Sequence, residues 1–322
     1  AFSHTQIKSI FNVGTFDPKN PDIRYAYAGP QAQTADRSQL YKAAQMEQEG
    51  RDMEEIRKET GWFTGPDEMW RFEIPDDAIG LKNIRLDSEG KTARAAWLEK
   101  FVDHPLLFKA YPQLKDYDVQ IEIAPELKNP GGSFQPYEDR SAQDLFDIQP
   151  EIKITAKTPE QAKTFLLHEI QHAIQDIEGF ARGGRPSEFP ALNTMLENEF
   201  VWTNNASVKL RDALTNRRQK SVAIPDPTRH GAITVIEDRQ EMKRLYRKFE
   251  NRLAEIEPEY KKKHPYGRYI RLAGEIEARD TTGRMQMTAE GRQFWPPYKS
   301  QGIPKDEVIV RFGGGPMAQV EG

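Results

Sequence analysis

The chain has no cysteine. Disulfides, thiolate zinc sites and cysteine nucleophiles are therefore excluded, and any metal must be held by nitrogen and oxygen. Long apolar runs are missing too. No stretch approaches the roughly 20 residues that span a bilayer, and the first residues lack the charged-then-apolar layout of a secretory signal. The expectation is a cytoplasmic protein with no membrane partner, although Ala1 reads like the middle of a longer sequence. Nor does one sign of charge dominate. With 46 basic against 50 acidic residues the net charge is −4, which gives no field to gather phosphate backbones, so nucleic acid is not an expected partner. Only 37% of residues are hydrophobic against 30% charged, a balance that predicts solvated helices and loops around a modest core. At 322 residues one large domain or two ordinary ones can form, and size is no obstacle to an enzyme.

Histidine is scarce, six in all, yet two stand four residues apart in Leu167-His168-Glu169-Ile170-Gln171-His172. On an α-helix that spacing puts both imidazoles on one face, about one turn apart, where they can reach a single ion. Neutral imidazole suits Zn²⁺. Glu169 lies about 100° further round the helix and can reach a water to be activated without taking a coordination position. So short a pattern also arises by chance on amphipathic helices, but the flanks argue for a real one. Thr158 is a good N-cap, Pro159 fits the first helical position, Gln161 is placed for a capping box, and Gly179 is a stop. Phe165, Leu166, Ile170, Ala173, Ile174 and Ile177 form an apolar stripe close to the histidines.

Residues 1–40 are turn-rich and read as a linker or the tail of a preceding module, with the main domain over 41–322. A charged helix is expected from about Gln39 to Thr60, then one or two short helices within 91–111. Strands are expected at Trp70–Ile74, Val119–Ile123 and Ile152–Ile154, and Gly131 to Phe134 reads as a turn into a further strand. Residues 192–222 read as helical with an interruption at Asn204-Asn205, and Ile233 to Lys263 as a long amphipathic helix with Pro258 near its end. Strands leading into a metal-binding helix make the class α+β. An edge strand beside that helix can hold an extended peptide by backbone pairing. Phe180 to Pro186 is a connector or a substrate-facing lid.

A catalytic zinc site takes three protein ligands and keeps one position open. His4, His104, His230 and His264 stand in turn-like or proline-adjacent contexts more typical of surface residues. Ala273-Gly274-Glu275-Ile276-Glu277-Ala278-Arg279 is a better source, because a helix of small residues, beginning near Gly267, can come close to the first. Residues two apart point about 200° from each other, so only one of Glu275 and Glu277 can be the ligand. The apolar face favours Glu277, whereas Glu275-x-x-Ala278 is similar to the third-ligand helices of several metallopeptidase families. Glu275 is taken as the ligand with Glu277 as the alternative. The other acid then supports the site, paired with Arg279 or orienting a histidine. Tyr269, or Tyr266, is the candidate donor to a developing oxyanion.

Several segments in order resemble one family over residues 60 to 315. They are Gly61-Trp62-Phe63 with Trp70 to Ile74, Leu167 to Gln175, Glu178 to Gly184, Leu272 to Arg279 and Val308 to Phe312. The family is the zincin-like metallopeptidase domain of large polyvalent proteins, multi-domain chains encoded by phages, prophages and conjugative elements. Gly14 to Pro18 with Asn20 to Tyr25 resembles the closing segment of a different module that often precedes such domains. The resemblance implies a small mixed sheet packed on the His-Glu-x-x-His helix, a helical C-terminal part, and zinc on His168 and His172 with Glu169 as base. It also implies a gluzincin-like endopeptidase acting on a protein or peptide: its parent polypeptide, whose other domains are then partners, or a host protein. The setting is cytoplasmic or virion-associated, with delivery into a host cell. The alternative is a non-catalytic structural or interaction module stapled by zinc.

Overall fold

Aspartate caps begin three of the helices in this chain, and left-handed glycines end two. The computed structural model describes residues 24–76, 80–136, 150–192, 194–216, 218–225, 233–284, 287 and 295–312. They combine helices with small sheets and divide into two compact units, 1–183 with 271–322, and 184–270.

The first unit opens with β1 (Arg24–Ala28), α1 (Arg37–Gln48) and α2 (Met53–Thr60). The Asp36 and Asp52 carboxylates cap the two helices, and Gly61 at φ 80 ends the second. β2 (Trp62–Thr64) and β3 (Trp70–Asp76) complete a three-stranded antiparallel sheet in the order β1, β3, β2. The described part of the expected linker is therefore folded. Ala26, Tyr27 and Ala28 are all buried, so β1 is covered on both faces and carries no alternation to betray it in the sequence. The module-like segment at Gly14 to Ile23 lies outside the described residues.

Next come β4 (Gly80–Leu81), β5 (Thr92–Trp97), α3 (Leu98–Phe101), β6 (Val102–Asp103) and α4 (Pro105–Ala110). The expected helices are limited to Leu98–Phe101 and Pro105–Ala110, and Ala95 and Trp97 belong to a strand. β5 is an edge whose side chains are mostly exposed. Main-chain pairing with its neighbour holds it, so apolar periodicity misjudged it.

β7 (Asp118–Ile123), β8 (Gly131–Gln135) and β9 (Glu151–Ala156) join β5 in a mixed sheet ordered β5, β7, β9, β8. Val119, Ile121 and Ile123 stand in parallel register with Ile152, Ile154 and Ala156, all buried. α5 (Pro159–Glu178) shares this core through Ala162, Leu166, Ile170, Ala173 and Ile174. Each buried Leu or Ile contributes about 1.5–3 kcal/mol of transfer free energy. Thr158 Oγ1 accepts from the Gln161 N–H at 3.2 Å, and Gly179 at φ 74 ends the helix. The Gln161 side chain accepts from the Lys157 N–H at 2.7 Å, one residue earlier than a capping box requires.

In the second unit, α6 (Thr194–Thr215) packs on α7 (Arg239–Lys263), with the hairpin of β10 (Val222–Pro225) and β11 (Ile233–Ile236) beside them. α6 runs unbroken through Asn204 and Asn205 because both are exposed, while Thr203, Ala206, Ser207 and Leu210 are buried. The long helix starts at Arg239, capped by Asp238, and includes Pro258, while Ile233 to Ile236 is a strand. α8 (Pro265–Tyr269) closes this unit. The helix expected from Gly267 is thus two helices. α9 (Ala273–Arg284) belongs to the first unit, where Leu272 bridges Ile309 and the Ala273 N–H donates to the Ile309 carbonyl at 2.9 Å. No helix among the described residues is long and apolar enough to cross a membrane.

Candidate metal centre

His168 and His172 stand one turn apart on α5, their Nε2 atoms 3.1 Å from each other and their rings edge to face. α9 reaches them through glycine. A Cβ on Gly274 would collide with the backbone of Arg182 and Gly183, and one on Gly183 would collide with Glu275 and His172. The lack of side chains at both positions lets Glu275 arrive between the imidazoles. Its Oε1 is 3.3 Å from His172 Nε2 and its Oε2 is 3.4 Å from His168 Nε2. Among the described residues these three form the one group of His, Asp or Glu side chains close enough to share an ion.

The donor set fits zinc. Ligands about 2.0–2.1 Å from Zn²⁺ at tetrahedral angles lie about 3.3–3.4 Å from one another. The two imidazole nitrogens are 3.1 Å apart, and each has a different oxygen of the Glu275 carboxylate beside it, at 3.3 and 3.4 Å, separations of the same order. Two imidazoles and a carboxylate are a combination that catalytic zinc sites use, leaving the fourth position open. The His168 and His172 side chains are 18% and 13% exposed against 2% for Glu275, so the open side faces the histidines.

Burial alone would lower the His172 pKa, but the Glu275 carboxylate outweighs it and raises the value to about 9. Burial would raise Glu275, and the two imidazoles instead hold it well below the usual carboxylate range. For Glu169 burial wins. Its carboxyl is pushed up against the pull of His172 and His168, while it takes a backbone hydrogen bond from Phe134. β8 lies directly against it, since a Cβ on Gly132 would collide with the Glu169 carboxylate. A buried carboxylate with a raised pKa is suited to general-base work near neutrality.

Glu277, the alternative ligand, is turned elsewhere. Its carboxylate accepts from Arg71, Gln171, Gln175 and Tyr298. His104 is a buried N-cap whose Nδ1 accepts from the Leu107 N–H at 3.2 Å, and burial lowers its pKa to about 4. His264 caps α8, and His4 and His230 lie outside the described residues. Tyr269 and Tyr266, 5.8 Å apart between ring centroids, belong to the second unit, whereas His168, His172 and Glu275 belong to the first. In the loop after α5, Phe180 and Ala181 are buried and Gly183 lies against Glu275 and His172, so its first half is a wall of the candidate site.

The polar interior around Gln171, Gln175, Asp67, Arg71 and Tyr298 was not foreseen from the sequence. One signal was present. Gln171 and Gln175 interrupt the apolar stripe of α5, and a buried amide is costly unless partnered.

A profile of the family described as large polyvalent protein associated domain 23 matches residues 25–82, from β1 into β4. The match gives the chain a polyvalent-protein context. No curated protein and no solved structure matches it.

Proposed function

We propose that this chain is a zincin-type, zinc-dependent metallopeptidase in which His168, His172 and Glu275 hold the ion and Glu169 is the general base. The observation that carries the proposal is the convergence of two imidazole nitrogens and a carboxylate close enough to share one ion, beside a second, buried carboxylate on the same helix as the imidazoles. Zinc, when bound, would lower the pKa of water to about 7 and polarise the scissile carbonyl. Glu169 takes the proton of the attacking water and returns it to the leaving amine, a role its raised pKa favours. β8, last of the described strands in its sheet and against Glu169, can seat an extended peptide by strand pairing. The substrate class is therefore protein, with the parent polypeptide or a host protein as the candidates that a polyvalent context supplies.

A group of three candidate ligands with no fourth among the described residues favours catalysis over a structural staple, because structural zinc sites are usually closed by four protein ligands. The test is to incubate the chain with the remainder of its parent polypeptide and read new N-termini by mass spectrometry. Glu169→Gln is expected to keep one zinc per chain and lose every cut. Full cleavage by that variant would remove the proposed base. A staple would instead show a melting temperature that falls on chelation and no cleavage by the wild type.

A further inference from the structure

Behind the metal centre, strands, helices and a loop converge on one carboxylate. The Glu277 side chain is fully buried and accepts from Gln171 Nε2 at 2.7 Å, Gln175 Nε2 at 3.2 Å, Tyr298 Oη at 3.2 Å and Arg71 Nε. Arg71 is itself enclosed and clasps Asp67 with both terminal nitrogens, at 2.6 and 2.9 Å. Asp67 in turn accepts from the Ala181 N–H at 2.8 Å, two residues before the glycine that touches the ligands.

Hydrogen-bond direction propagates through this group. Arg71 can only donate, so the Glu277 oxygen that faces it must accept. With the Glu277 oxygens accepting, Gln175 turns its amide nitrogen toward them and also donates to the Gly274 carbonyl at 2.9 Å. That orientation leaves Gln175 Oε1 facing His172 Nδ1 at 2.8 Å, where it can only accept. His172 must then carry a proton on Nδ1, which leaves Nε2, the nitrogen beside Glu275 and His168, as the one that can give its lone pair to a metal. The same amide grips the residue just before Glu275, so one side chain sets both an imidazole and the carboxylate's helix.

We infer that Gln175 and Glu277 are positioning residues for the metal ligand His172, and that Arg71 fixes their orientation. This rests on the zinc assignment proposed above. Arg71 and Asp67 belong to the segment matched by the polyvalent-protein profile. Tyr27, from the same segment, grips Gln171 through its backbone N–H and carbonyl, both at 3.0 Å. That segment is therefore part of the support of the metal centre and not a detachable module.

The test measures zinc affinity by competition with a chelator in the full chain, and follows the His172 Nδ1 proton by ¹H–¹⁵N NMR in the zinc-loaded protein. Gln175→Met keeps the volume and removes the acceptor, and Glu277→Gln keeps the shape and removes the charge. Each is expected to weaken zinc binding about 10- to 100-fold and to expose the Nδ1 proton to rapid exchange. Glu178→Gln is the control. Glu178 is a buried carboxylate on the same helix, tied to Tyr111 Oη at 2.6 Å and the Gln31 N–H at 2.9 Å and to none of the ligands. It is expected to lower the melting temperature while zinc affinity and the ring proton stay as in the wild type. Wild-type zinc affinity and a protected ring proton in both Gln175→Met and Glu277→Gln would overturn the inference, as would an equal loss of zinc in Glu178→Gln. A wild-type chain that binds no zinc would instead overturn the metal assignment beneath it.

Discussion

Opposite pH dependences of the metal-free and zinc-loaded protein follow from the position of His172. Without metal, the atoms that would ligate zinc hold a proton, and the Glu275 carboxylate raises the His172 pKa from 6.5 to about 9 despite its burial. A raised folded-state value means that the folded chain binds the proton more tightly than the unfolded chain. The stabilisation is complete below about pH 6.5 and is lost as pH rises through about 9, and that interval corresponds to roughly 3 kcal/mol. Zinc competes for the same lone pair, so its binding releases the proton and strengthens as pH rises across that window. The gain is at most tenfold per pH unit, about 50-fold between pH 7 and 9 for a group that titrates near 9. Urea unfolding of chelator-treated protein from pH 6 to 9.5, with the His172→Asn variant subtracted, isolates the first effect. Zinc-buffered titrations over the same range measure the second. A wild-type minus variant stability that stays flat with pH, or a zinc affinity that does not change, would refute the argument.

Two further substitutions probe the geometry. Gly183→Ala places a methyl against Glu275 and His172. Overpacking of about 1–3 kcal/mol should weaken zinc binding in chelator competition with little change in far-ultraviolet circular dichroism, and unchanged affinity would mean that the wall yields to a methyl group. Thr158→Ala removes the N-cap of the ligand-bearing helix and should lower unfolding free energy by about 1 kcal/mol in urea while zinc stoichiometry stays the same.

The helix that carries the histidines was legible because its signals are local. A threonine cap, a proline at the first position, a glycine stop and an apolar stripe all lie within the segment Thr158 to Gly179, and each acts on its own backbone neighbours. Strands with one buried face, such as Val119 to Ile123, announce themselves by alternation in the same way. β1 and β5 did not, the first because both faces are covered and the second because few of its side chains are. The polar interior was out of reach for a different reason. Arg71 meets Glu277 across 206 residues of chain, and no periodicity links partners at that separation.

The choice between Glu275 and Glu277 shows where local reasoning stops. An amphipathic helix would have put one acid in water and left the other as the ligand, but α9 buries Ala273 through Ala278 without interruption. That stretch has no solvent face on which a charge can rest, so each of its carboxylates needs its own cationic or metal partner. Residues two apart point to opposite sides. One side of α9 faces His168 and His172, and the other faces Arg71. Glu275 and Glu277 are therefore not rivals for a single role, because the first meets the imidazoles and the second holds the amide that aims one of them.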